Sequence, residues 1–224
     1  MDIETARFNM IEQQIRPWEV LDPGVLELLA TMSREDYVPP QHRALAFVDT
    51  QVPLLEGDAR GPCMLEPKLE ARLLQELQVQ RHEKVLEIGT GSGFMAALLA
   101  HRAMHVHTLE CRPELAHMAR ENLRRNGVLN VTVHEVNAAE GARGLPGEAP
   151  FDAILLSGSV AEVPRALLAQ LKIGGHLAAI VGSLPIMRAR LFTRVGDDAW
   201  SEVDLFDTVA PRLEGFAEPG RFRF

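Results

Sequence analysis

The sequence predicts an α/β protein: a doubly wound, mostly parallel sheet over residues 81–224, preceded by a helical and loop-rich extension and lid over residues 1–80. Three observations carry this. Past residue 80, short apolar runs alternate with amphipathic stretches, as in βα units. Glycines crowd the first strand-to-helix junction, at Gly89, Gly91 and Gly93. Before residue 80 the periodicity is helical and is broken by Pro- and Gly-rich segments.

In order along the chain, Ile11 and Ile15, then Val25, Leu26, Leu29 and Met32, mark two amphipathic helices. Arg16-Pro17-Trp18 parts them, and Asp22-Pro23-Gly24 opens the second with Asp as cap and Pro in the first turn. Residues 38–67 predict loop with short strands. Residues 84–88 read as a buried strand, 93–102 as a helix against it, and 106–110 as a second strand. Residues 113–126 form a helix whose inner face is Leu115, Met118, Ala119 and Leu123, closed by Asn126-Gly127. Further strands are expected at 131–136, 151–157 and 176–181, with a helix at 163–171. Residues 191–224 predict one or two more strands and a loose end, where Phe216, Phe222 and Phe224 alternate as on an edge strand.

Composition excludes several classes. With 46% apolar and 24% charged residues the chain is globular, and 224 residues suffice for a real core. A net charge of −8 disfavours broad binding to nucleic acid or anionic membrane, so neither is an expected partner. Two cysteines, Cys63 and Cys111, make no disulfide framework and fit a reducing, cytoplasmic setting. The N-terminal residues lack the apolar centre of a signal peptide, and no run approaches the roughly 20 apolar residues of a membrane span.

The chemistry is concentrated in Val85-Leu86-Glu87-Ile88-Gly89-Thr90-Gly91-Ser92-Gly93, which runs from a strand into a helix. Glycines there let a ligand lie against the backbone at the end of the strand, where open α/β sheets bind ligands. A dinucleotide fingerprint is Gly-x-Gly-x-x-Gly with a helix start aimed at pyrophosphate. Here the spacing is Gly-x-Gly-x-Gly, and Glu87 stands where a carboxylate repels phosphate and suits a cation. S-adenosylmethionine, with an ammonium, a sulfonium and no phosphate, is the expected cofactor, ahead of a nicotinamide dinucleotide. Glu110 ends the second strand, where a carboxylate accepts hydrogen bonds from both ribose hydroxyls. The expected cofactor residues are Glu87, Gly89, Thr90, Gly91, Ser92, Gly93 and Glu110, with Cys111 packing beside the adenosine.

Other candidates read as structural. His105 and His107 alternate on a strand and share a side, but no second Cys/His cluster joins them, so no metal is expected. Trp18 reads first as a packing aromatic and second as part of the lid.

At these residues the sequence resembles the protein-L-isoaspartate O-methyltransferase family. The resemblance covers Gln14-Ile15-Arg16, then 32–39, where Met32-Ser33-Arg34-Glu35-Asp36-Tyr37-Val38-Pro39 is similar to Val-Pro-Arg-Glu-x-Phe-Val-Pro. It continues through 85–94 and Ala149-Pro150-Phe151-Asp152-Ala153-Ile154. It ends with Val163-Pro164, Ala166-Leu167-Leu168, Gln170-Leu171-Lys172 and Gly174-Gly175. The resemblance implies a Rossmann-like fold and methyl transfer to a carboxylate, in isoaspartyl residues of damaged proteins or a divergent acceptor on a protein or peptide. Where the family has Gly-Asp-Gly at the adenosine, this sequence has Ala139-Glu140-Gly141, which places Ala139 and Glu140 among the cofactor residues. Where the family has Gly-Gln-Thr-Ile-Ser-Gln-Pro, with hydroxyls associated with the active site, this sequence has Gly61-Pro62-Cys63-Met64-Leu65-Glu66-Pro67. Both hydroxyls are gone, and the alternative function is a cofactor-binding member without repair activity. A carboxylate acceptor is ionised at neutral pH and needs no general base, so the catalytic residue stays unassigned.

Overall fold

The structure, a computed structural model, describes residues 2–57 and 61–218. The N-terminal helix α1 (Ile3–Met10) runs through a π turn (Ile11–Ile15) into a 3-10 turn (Arg16–Trp18). Helix α2 (Pro23–Thr31) starts as its sequence dictates, with the Asp22 carboxylate accepting the Val25 N–H at 2.8 Å. Two short strands, β1 (Val52–Pro53) and β2 (Cys63–Met64), pair antiparallel and lead into α3 (Pro67–Leu77).

The alternating part follows: β3 (Lys84–Ile88), α4 (Phe94–Arg102), β4 (His105–Glu110), α5 (Pro113–Arg125), β5 (Val131–Glu135), α6 (Ala138–Gly141), β6 (Phe151–Val160), α7 (Arg165–Leu168) and β7 (Leu171–Ser183). A hairpin of β8 (Ile186–Gly196) and β9 (Ala199–Thr208) ends the sheet, whose order is β5-β4-β3-β6-β7-β8-β9. The five strands from β5 to β7 are parallel; β8 and β9 are antiparallel.

Each sheet face buries its own apolar set. Leu155 and Ile180 pack with Ile15, Leu26, Leu73 and Leu98, so the N-terminal helices and α4 share one continuous core with the sheet. Leu86, Ile88, Ile154 and Leu177 face the other way, toward Leu167 and Phe216. Each fully buried Leu or Ile contributes about 1.5–3 kcal/mol. Among the described residues, no helix is long and apolar enough to cross a membrane.

Three expectations are corrected. The helix expected over 163–171 is one turn, Arg165–Leu168. Gln170 ends it: its side chain donates to the carbonyls of Arg143 and Ala166 and accepts the Leu145 N–H, and Leu171 then pairs with Phe151. Strand β8 begins earlier than expected, because Arg188 and Arg190 alternate with buried Met187 and Ala189 while reaching acidic partners on β9. Within the described residues, the segment after β9 is held against the sheet: the Ser159 N–H reaches Pro211 O at 2.7 Å and the Leu213 N–H reaches Ser159 O at 2.9 Å. Phe216 is buried in this chain's own core, while Phe222 and Phe224 lie outside the described residues.

Arg34, of a residue type that is almost never fully buried unless paired, is 2% exposed. Its guanidinium meets Glu70 at 3.1 Å and donates to Leu65 O at 2.8 Å and Ala46 O at 3.0 Å. It thereby ties the loop before α3 to the body of the fold.

Candidate functional site

Strand β3 has β4 on one side and β6 on the other, so successive crossovers leave it in opposite directions. A crevice opens at the carboxyl end of such a strand. Here it is a cavity of about 240 Å³, walled by the bend after β3, the end of β4, the end of β6, the β2 loop and the segment after β9.

The bend is glycine-dependent. Gly89 and Gly91 have φ of +93° and +54°, in the left-handed region that L side chains rarely adopt. Gly91 donates its N–H to Glu110 Oε2 at 2.9 Å, and Cys111 and Arg112 donate theirs to Glu110 Oε1 at 2.9 and 3.1 Å. Glu110 is 5% exposed and borders the cavity; burial raises its carboxyl above the ordinary range, against the three amides that favour the ionised form. The loop therefore offers a carboxylate where a phosphate site would offer free N–H groups. That fits a cationic, phosphate-free ligand such as S-adenosylmethionine.

Glu87 lies beneath the bend, fully buried, and borders a smaller cavity with Cys63 and Leu65. Ser157 Oγ donates to its Oε1 and Thr108 Oγ1 to its Oε2, both at 2.7 Å. With the Thr108 proton so used, Thr90 is the donor in the 2.7 Å contact between the two threonines. Burial pushes the Glu87 carboxyl up to about 8, against the pull of both hydroxyls.

A family model described as protein-L-isoaspartate(D-aspartate) O-methyltransferase matches residues 6–206. The chain belongs to this family. Among curated relatives, the protein-L-isoaspartate O-methyltransferase of Methanoculleus marisnigri is 40% identical over 176 residues, covering 79% of this chain and 77% of that protein. The one from Rhodopseudomonas palustris is 37% identical over 214 residues, covering 94% and 95%. Among solved structures, a protein-L-isoaspartate O-methyltransferase superposes with TM-score 0.77 at 22% identity, over 96% of this chain and 66% of that one. A Plasmodium falciparum structure in complex with S-adenosyl-L-homocysteine gives TM-score 0.77 at 19% identity, covering 96% and 99%; both likenesses speak to the fold. Family membership makes the chain an S-adenosylmethionine-dependent methyltransferase of the isoaspartyl type, with S-adenosylmethionine as cofactor.

Of the residues expected at the cofactor, Gly89, Gly91, Glu110 and Cys111 border the main crevice. Thr90, Ser92 and Glu87 border the small cavity below it. Gly93 is turned elsewhere: a Cβ there would meet Ala119 at 3.3 Å, so its bareness lets α4 approach α5. At the family's Gly-Asp-Gly position, Ala138 and Gly141 face the crevice rather than Ala139 and Glu140. Glu140 instead closes a capping box with Asn137. Cys63 and Leu65 both border the crevice, and burial with Glu66 nearby pushes the Cys63 thiol up to about 12, which disfavours the thiolate.

Trp18 lies away from the crevice, against Phe206 and under Lys68 Nζ, which confirms the packing role. His105 and His107 do share a face, with ring centroids 4.7 Å apart. His107 Nδ1 is 3.0 Å from His134 Nε2, and among the described residues no group of three or more His, Cys, Asp or Glu is placed to hold a metal ion.

Sequence reasoning missed Ser157 and residues 211–214. Ser157 stands at the carboxyl end of a predicted strand next to the switch point, a location that could have singled it out. Residues 211–214 carry no local motif; only the long β8–β9 hairpin brings them back.

Proposed function

We propose that this protein transfers the methyl group of S-adenosylmethionine to the free carboxylate of isoaspartyl residues in damaged proteins, with residues 81–224 holding the cofactor and residues 1–80 supplying the acceptor-side wall and lid. The observation that carries this reading is Glu110, a buried carboxylate that ties down the bend after β3 and still borders the crevice.

In this role Glu110 accepts the ribose hydroxyls, and the apolar wall of Leu109, Leu115 and Val136 packs the adenine. Gly89 and Gly91 give the amino-acid end of the cofactor access to the backbone. Ser157 and Thr108 hold Glu87 in place beneath them. When bound, S-adenosylmethionine supplies an already activated methyl group. The protein's contribution is then alignment and exclusion of water. Arg34 contributes by fixing Leu65 O, and with it the loop that faces the acceptor. An ionised carboxylate needs no proton removed, consistent with a crevice bordered by a neutral Cys63 and, among the described residues, by no histidine.

The alternative, a family member that binds the cofactor without turnover, has nothing in its favour beyond Cys63 and Leu65 themselves. The test is methyl incorporation into a peptide with one isoaspartyl residue, against the matched aspartyl peptide. Labelling confined to the isoaspartyl peptide is expected; no labelling by protein that binds S-adenosylhomocysteine would leave only the alternative.

A further inference from the structure

Among the described residues that border the crevice, Arg112 and Arg212 are the cations, and they stand on different walls. Arg112 follows β4. Glu214 accepts from its Nε and Nη2 at 2.9 and 2.6 Å, so its charge is matched across the mouth of the crevice.

Arg212 is placed by a short piece of sheet. Residues 211–213 run parallel to the end of β6, bonded to Ser159 on both sides, in the place β3 vacates when it bends at Gly89. Neighbouring strand residues point to opposite faces. Leu213 packs into the core on the α7 side and lies against Gly89 and Gly158. Arg212 therefore turns to the other face, where Leu155 joins the core that includes Met64 and Leu65 of the acceptor loop. Its Nη1 donates to Gly182 O at 2.9 Å and lies 3.5 Å from Ser159 Oγ, and its Nη2 reaches Ser183 Oγ at 3.1 Å. Its Nε meets Glu218 at 2.8 Å, an ion pair whose acidic partner is 56% exposed. Such a pair is weak and readily exchanged for another carboxylate.

An acceptor carboxylate entering this crevice meets Glu110 and Glu214 on the walls and gains no hydroxyl from Cys63 or Leu65. It needs a counter-charge, and a guanidinium fork matches a carboxylate in shape as well as sign. We propose that Arg212 is the specificity-determining residue that selects an ionised carboxylate as the methyl acceptor. This rests on the isoaspartyl reading above and names the group that recognises that substrate.

The experiment compares two peptides of one sequence, one with the free isoaspartyl carboxylate and one with that group as a carboxamide. Affinity of the second is read as competitive inhibition, and S-adenosylhomocysteine binding is measured alongside. Wild type should prefer the carboxylate by about tenfold to a hundredfold, the range of a charge-assisted hydrogen bond. In Arg212→Gln the preference should collapse toward one, with KM raised by a similar factor and S-adenosylhomocysteine affinity unchanged. Equal weakening of both peptides would mean a purely structural residue and would overturn the proposal, as would an unchanged preference. If Arg212→Gln fails to bind S-adenosylhomocysteine, Arg212→Lys replaces it: loss of the fork should lower the preference several-fold, and an unchanged preference overturns the proposal. A wild type that binds S-adenosylhomocysteine but methylates no isoaspartyl peptide removes the underlying reading instead, and Arg212's role with it.

Discussion

Gly91 donates its amide hydrogen to Glu110 across 2.9 Å, which fastens the bend after β3 to the end of β4. Because Cys111 and Arg112 donate to the same carboxylate, one side chain organises three amides on two segments of the crevice wall. Glu110→Ala leaves those donors without partners, at about 1–3 kcal/mol for each that stays dry. The expected outcome is S-adenosylhomocysteine affinity lowered a hundredfold or more by calorimetry, with a drop in Tm. Glu110→Gln, which keeps an acceptor oxygen, should lose less on both counts.

Glu87 makes stability depend on pH in a defined direction. Burial raises its carboxyl from an ordinary 4.5 to about 8, so the folded state holds a proton that the unfolded chain releases. Its contribution is fully present below pH 4.5 and is lost as pH rises through about 8. Glu87→Gln, which cannot ionise, should therefore gain stability relative to wild type between pH 5 and pH 8.5 in urea titrations. A difference between the two proteins that stays flat across that range would refute the assignment.

Gly89 has two reasons to be glycine. Its φ of +93° strains any L side chain, and an added Cβ would sit 2.7 Å from Leu213 Cδ2. Gly89→Ala should lower stability by at least the 1–2 kcal/mol of the left-handed backbone, about, with a further loss from the clash. Adding Leu213→Ala removes the clash but not the backbone strain. The double variant should thus show favourable coupling in a double-mutant cycle; simple additivity would mean the two residues do not touch.

The Arg34–Glu70 pair is buried on both sides, and burial pushes the Glu70 carboxyl up to about 7 despite its partner. Removing one partner strands the other, so Arg34→Met should destabilise by about 3–5 kcal/mol in denaturant unfolding. Arg34→Met with Glu70→Leu should recover much of that. The single variant should also raise KM, because Arg34 no longer holds Leu65 O.

What the sequence made legible follows from which forces are local. Strand β3, the glycine bend and the α2 cap are set by residues within a few positions, and they stand where periodicity and capping place them. Helix α7 was overestimated because its end is set by Gln170 reaching Arg143 and Leu145, contacts invisible to a local pattern. Glu140 shows a related effect: its carboxylate accepts the Asn137 N–H, and its neighbours Ala138 and Gly141 are the residues that border the crevice. Ser157 and Arg212 became site residues only through topology, since β6 and the segment after β9 meet at the switch point across more than 50 residues of chain.

The central claim is that the carboxylate-closed bend holds S-adenosylmethionine, and its most direct measurement is calorimetric titration of the wild-type chain with S-adenosylhomocysteine and, separately, NAD. The account predicts one-site binding of S-adenosylhomocysteine at micromolar or tighter affinity, weakened at least a hundredfold in Glu110→Ala, and no binding of NAD. Binding of NAD instead, or S-adenosylhomocysteine binding indifferent to Glu110, would contradict it.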